Sequence, residues 1–184
     1  VAADYMDKIS RGETPEKITE EYSGDFNVLK NNMNACIDEI RILVDEVGVV
    51  IGLARSGDLA KRCNPDRTKG VYRKILRGIN DALDALINPL NVAADYVDKI
   101  SRGEIPEKIT AEYSGDFSLI KNNLNKCIDA INGVIMEVRT LQKAVADGDL
   151  TQHGDTDKFL GAFKEMVQGM NDVIESIAEQ LRLC

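Results

Sequence analysis

The side chains that most often carry chemistry are scarce in this chain and do not group. His153 is the single histidine among 184 residues, so a nucleophile–His–acid relay or a zinc site would need partners that the sequence does not place around it. Cys36, Cys63, Cys127 and Cys184 form no CxxC pair and no compact framework. That pattern suits a reducing, cytoplasmic setting. Neither GxxxxGK[ST] nor GxGxxG occurs, so no loop that cradles a nucleotide phosphate is expected. The reading is non-enzymatic: no catalytic residue, no metal site and no cofactor.

What does recur is a glycine followed by an acid, at Gly12-Glu13, Gly57-Asp58, Gly103-Glu104 and Gly148-Asp149, with spacings of 45, 46 and 45. Glycine ends helices by adopting a left-handed conformation. The carboxylate beside it has two readings, a solvated surface charge or a contact with the next helix that differs between two states. Both stay open on the sequence alone.

The spacing reflects a duplication. Residues 1–40 and 92–131 align without a gap at an offset of 91, and 31 of the 40 positions are identical. Within each copy a second element follows the Gly-acid pair: glycine, any residue, an aromatic, and then apolar residues leading to an asparagine. It is Gly24, Phe26, Leu29, Met33, Asn34, then Gly70, Tyr72, Ile75, Ile79, Asn80. The second copy has Gly115, Phe117, Ile120, Leu124, Asn125, then Gly161, Phe163, Met166, Met170, Asn171. Gly-to-Gly distances of 12, 13, 12 and 13 define four units of two alternating subtypes. The asparagines fall just off the apolar seam and read as surface hydrogen-bonding groups.

Composition agrees with a helical, non-catalytic chain. It has 23 basic and 31 acidic side chains, a net charge of −8 and no Trp. A pI near 4.8 argues against a nucleic-acid partner. The longest apolar-plus-Gly run, Val47–Ala54, is eight residues, far short of the roughly 20 that span a bilayer. No membrane contact is expected within this sequence. The first residue is Val1 rather than Met, as expected of a piece of a longer protein.

From Phe26 the apolar residues hold a heptad, with Phe26, Met33, Ile40, Val47 and Ala54 on one seam position and Leu29, Cys36, Leu43 and Val50 on the other. Ile37, Val44 and Ile51 widen the stripe to three positions in seven, which suits a four-helix core. Cys36 and Cys127 occupy seam positions as small apolar residues. A second stripe runs from Tyr72 to Ile100 with Pro89 inside it, and a bend or short break is expected there. Connectors of about twelve residues reach about 40 Å, enough to run back along a helix about 24 Å long and start the next one in parallel. Paired positions four apart (Thr14 and Ile18, Leu59 and Cys63, Ile105 and Ile109, Leu150 and Gly154) are expected to tuck the connectors onto the helices. Two parallel helices cannot bury so wide a stripe, so a parallel two-fold homodimer is expected to complete it.

Helix, Gly-acid-Leu, anchored connector, Gly and a second parallel helix together resemble the HAMP domain, best at Gly57–Leu59 and Gly148–Leu150 and with Pro89-Leu90 at the start of the third first-helix. The resemblance covers the chain as four tandem units: 1–40, 41–87, 88–131 and 132–184. It is similar to the HAMP region of bacterial methyl-accepting chemotaxis proteins, and HAMP arrays of hybrid histidine kinases are the nearest alternative parent. It implies an all-α fold in which each unit is a parallel four-helix coiled coil formed by a homodimer. It further implies a relay between upstream sensor and downstream output modules of one longer chain, carried by Gly12, Glu13, Ile18, Gly57, Asp58, Leu59, Pro89, Gly103, Glu104, Ile105, Ile109, Gly148, Asp149 and Leu150. A passive coiled-coil spacer is the rival reading.

Overall fold

The computed structural model describes residues 2–182, and the regular elements among them are all helical. Five α-helices follow in order: α1 (Ala2–Ser10), α2 (Asp25–Arg55), α3 (Gly70–Ser101), α4 (Asp116–Ala146) and α5 (Gly161–Arg182). Short 3-10 turns at Pro65–Arg67 and Thr156–Lys158 sit in the second and fourth connectors. The first and third connectors have none. The chain divides into two compact bodies, Val1–Asn88 and Pro89–Cys184. Cys184 lies outside the described residues.

Each of the first four helices ends in the same way. At Gly57, φ is 87°, the Gly57 N–H donates to the Ala54 carbonyl at 3.1 Å, and the Asp58 N–H reaches back to Leu53 at 2.9 Å. This 5→2 and 6→1 pairing satisfies carbonyls that a helix end otherwise orphans. The Gly12, Gly103 and Gly148 ends repeat it. From the glycine that opens a helix to the one that closes it, the three long helices span an identical 33 residues: Gly24 to Gly57, Gly70 to Gly103 and Gly115 to Gly148. The alternation of 45 and 46 therefore resides wholly in the connectors.

The parallel arrangement is visible in the bonding. Along the second connector, Arg62 pairs with Asp84, Cys63 bonds Asn80, and the Pro65 and Thr68 carbonyls accept from Arg73. On its other side the Asn64 N–H donates to Glu46 and the Lys69 N–H to Glu39. The connector thus runs antiparallel to both α2 and α3, which makes those two helices parallel to each other.

The short break expected at Pro89 is absent, since α3 runs through it. A proline removes one backbone donor, which leaves the Ala85 carbonyl without its helical partner, and Ala85 is exposed to water. Pro89 also lines a crevice with Val92, Ile109, Tyr113, Phe117 and Leu124, so its ring packs in the second body.

The heptad stripe is only half covered within one chain. In the first body Val50, Cys63 and Leu76 are buried, with Leu43, Val47, Ile79 and Leu83 packed around them. Met33 and Ile37 are buried on α2. In the second body Ile109, Ile128, Leu141, Phe159, Val167 and Ile174 play the same part. Seam residues on the opposite side stay open: Phe26 is 71% exposed and Leu86 53%, and Leu29, Ile75 and Ile177 are also exposed.

Candidate functional site

The repeated site is the junction between each connector and the helix that follows it. Four asparagines build it. The Ile18 N–H donates to Asn34 Oδ1 at 2.8 Å, and Asn34 Nδ2 donates to the Ile18 carbonyl at 2.9 Å. Cys63 and Asn80 exchange the same two bonds, both at 2.9 Å. Ile109 and Asn125 do so at 2.8 and 3.0 Å, and Gly154 and Asn171 at 2.7 and 3.0 Å. A side-chain amide carries one acceptor and a donor on the same plane, so it can satisfy both backbone groups of one extended residue, as a neighbouring strand would.

This corrects the sequence reading of the four asparagines as surface groups. Asn171 is buried and the other three are half-buried, because each amide is covered by the connector segment it holds. The signal was present in the sequence: each asparagine lies 16 or 17 residues after the connector position it clamps.

The clamped residue is the second member of each anchor pair. Ile18, Cys63, Ile109 and Gly154 are all buried. The first members are not held down equally. Ile105 and Leu150 are half-buried, whereas Leu59 and Thr14 are exposed, which corrects the expectation that both members tuck in. At Gly154 a Cβ would stand 2.7 Å from Val167 Cγ1 and 3.4 Å from Leu141 Cδ1, so only glycine fits against that pair of side chains. Burial and the nearby Glu46 push the Cys63 thiol up from its ordinary pKa, which disfavours the reactive thiolate.

The acids beside the terminating glycines stay local. Asp58 Oδ1 accepts from the Ala60 N–H at 3.1 Å. Asp149 accepts from the Thr151 hydroxyl and N–H and from Gln152, and these bonds lower its pKa. Glu13 and Glu104 are exposed and enter no ion pair among the described residues. Among the described residues none of the four carboxylates bonds to the following helix.

The two subtypes differ in what else grips the connector. In the first and third, the ion pairs among the described residues run to the following helix: Lys17–Asp38 and Arg41–Glu16, then Lys108–Asp129. In the second and fourth, a mostly covered glutamate on the preceding helix joins in. Glu46 accepts from the Asn64 N–H at 2.7 Å and pairs with Arg67. Glu137 accepts from the Asp155 N–H and pairs with Lys158. His153 bridges the Thr151 carbonyl and Glu175.

The Asn64 N–H, and then Arg67, hold the Glu46 carboxyl below its ordinary value. A depressed folded-state pKa contributes stability that is present above the unfolded value, about 4.3, and lost as pH falls through the folded one. Acidification should therefore loosen the second connector, seen as faster exchange of the Asn64 amide. Glu46→Gln should flatten that dependence, and an unchanged profile would dismiss the role.

The HAMP domain family matches residues 1–42 and 67–133. The chain belongs to this family. It is also similar to the methyl-accepting chemotaxis protein McpB of Pseudomonas aeruginosa, with 21% identity over 94 residues, covering 51% of this chain and 14% of that protein. The chain therefore corresponds to a small part of that relative's length. No solved structure matches it. As a HAMP chain it carries no helix, among the described residues, long and apolar enough to cross a membrane. Among those residues no His, Cys, Asp and Glu side chains group as a metal site would require.

Proposed function

We propose that this HAMP chain is a non-enzymatic relay, a parallel homodimer in the cytoplasmic part of a chemoreceptor-type protein that links an upstream sensor to a downstream output module. The observation that carries the reading is the half-covered seam. Phe26, Leu29, Ile75, Leu86 and Ile177 project from heptad positions that one chain leaves open. Burying what remains exposed of each such side chain stabilises the assembly by about 1 kcal/mol or more. A two-fold partner presenting the same stripe would complete a four-helix core in each repeat.

Two packings of that core, differing by helix rotation or register, would make it a switch, because close-packed interiors prefer discrete arrangements to continuous deformation. The uninterrupted helices of 31 or 32 residues would pass the bias on, since α2 serves one repeat at its start and the next at its end. Coupling of about 1–3 kcal/mol would be sufficient for a graded response. The test is disulfide crosslinking of single-cysteine variants along Phe26–Ala54, in the full-length parent freed of its native cysteines and held in two signalling states. State-dependent patterns are expected, and identical patterns would leave a passive spacer instead.

A further inference from the structure

The second connector and the start of α3 depart in charge from the rest of the chain. Residues 55–77 hold eight cations, Arg55, Lys61, Arg62, Arg67, Lys69, Arg73, Lys74 and Arg77, against Asp58 and Asp66, a net of +6. The aligned residues 146–168 hold Lys158 and Lys164 against Asp147, Asp149, Asp155, Asp157 and Glu165, a net of −3. The two stretches are related by the duplication, so the helix-connector scaffold does not itself demand the positive charge. Lys61, Lys69 and Arg77 are replaced in the later copy by Gln152, Leu160 and Gln168.

Three of the eight cations have structural partners: Arg62 with Asp84, Arg67 with Glu46 and Arg73 with Asp66. Arg55, Lys61, Lys69, Lys74 and Arg77 are exposed and enter no ion pair among the described residues. Lys61 and Lys69 lie in the connector itself, and Arg77 stands beside it on α3. Arg73, Asn80 and Asp84 all touch the connector, and Arg77 stands four residues after Arg73 and three before Asn80, hence on the same helix face. That face lies opposite the seam positions Ile75, Ile79 and Ala82, so a seam partner would leave it open. Lys69 and Lys74 also stand at the start of α3, where the helix dipole disfavours cations.

We propose that this outer face binds an extended, carboxylate-rich segment of a partner protein. The patch runs along the connector from Lys61 to Lys69, with Arg77 beside it on α3. Lys61 and Lys69 are eight residues apart, at most about 27 Å, the reach of an extended segment of about eight residues. A broad polyanion fits less well. Residues 1–54 of the same compact body carry 11 acids and five bases, so a lipid surface or a nucleic-acid duplex laid on the patch would meet that negative surface within a Debye length of about 8 Å. A narrow acidic segment can stay on the patch.

The experiment is an NMR titration of the full 184-residue chain with an octapeptide of alternating Asp and Glu, at low and high salt. Shifts confined to residues 58–80 are expected, with binding weakened by salt and by about tenfold in Lys61→Gln/Lys69→Gln/Arg77→Gln. Lys164→Gln in the later repeat should bind as wild type does, and far-UV circular dichroism would verify that both variants are folded. Equal shifts at the fourth connector, or undiminished binding by the triple variant, would overturn the proposal. So would tighter binding of phosphatidylserine vesicles or an oligonucleotide to the patch, or salt-sensitive association of dimers that the triple variant abolishes.

Discussion

Replacing Asn171 with leucine should cost about 2–4 kcal/mol of stability, although leucine is close to asparagine in size. The substitution leaves the Gly154 N–H and carbonyl, now paired with the Asn171 amide, without partners in a buried position. Each buried polar group so orphaned costs about 1–3 kcal/mol, more than the net worth of the bond itself. Asn171→Asp should be at least as damaging above the carboxyl pKa, because it keeps the acceptor for the N–H but turns a carboxylate oxygen toward the Gly154 carbonyl. Urea unfolding at one fixed protein concentration would check both, since dimer formation makes stability concentration-dependent. A loss below about 0.5 kcal/mol, the range of ordinary surface substitutions, would mean that the clamp contributes little. Asn34, Asn80 and Asn125 should follow in the same direction with smaller losses, being less buried.

Phe159→Ala should be of similar size, at about 3–4 kcal/mol. Phe159 is buried at 6% exposure, and its ring lies over Gly133, where a Cβ would stand 2.8 Å from Cε1. In the earlier copy the aligned positions are Ile42 and Thr68, with Thr68 almost wholly buried. The two repeats thus place large and small residues at these aligned positions in opposite ways, large on the helix with small on the connector, and the reverse. Gly133→Ile alone should overpack the site, at about 1–3 kcal/mol. The double variant Gly133→Ile/Phe159→Thr should lose clearly less than the sum of the single losses, because the pair share one volume. Additive losses would show that the two positions are independent.

Much of the fold could be read from residues in line. The duplication, the Gly-acid terminators and the heptads at Phe26–Ala54 placed the helices and their ends, because a Schellman end and a heptad seam are local rules with a fixed period. The parallel path of the connectors followed from their length alone. Pro89 shows the limit of such rules: proline's cost is local, but whether a helix absorbs it depends on what surrounds the freed carbonyl and ring.

The site was less legible. The asparagines recur four times in register, yet their role depends on a bond across 16 or 17 residues to a backbone group that no sequence pattern marks. Their reading as surface groups failed because local polarity does not reveal what chain segment will cover a side chain. The clustering of cations at 55–77 is likewise plain in the sequence. Only the folded chain separates Arg62, Arg67 and Arg73, which hold the connector, from Lys61, Lys69 and Arg77, which do not. The sequence by itself determined the period, the helix ends and the apolar stripe, because those follow from backbone geometry and side-chain spacing. The tertiary structure alone decided which polar groups clamp the connectors, which half of the stripe remains open and which cations are free, because each depends on what long-range packing brings near.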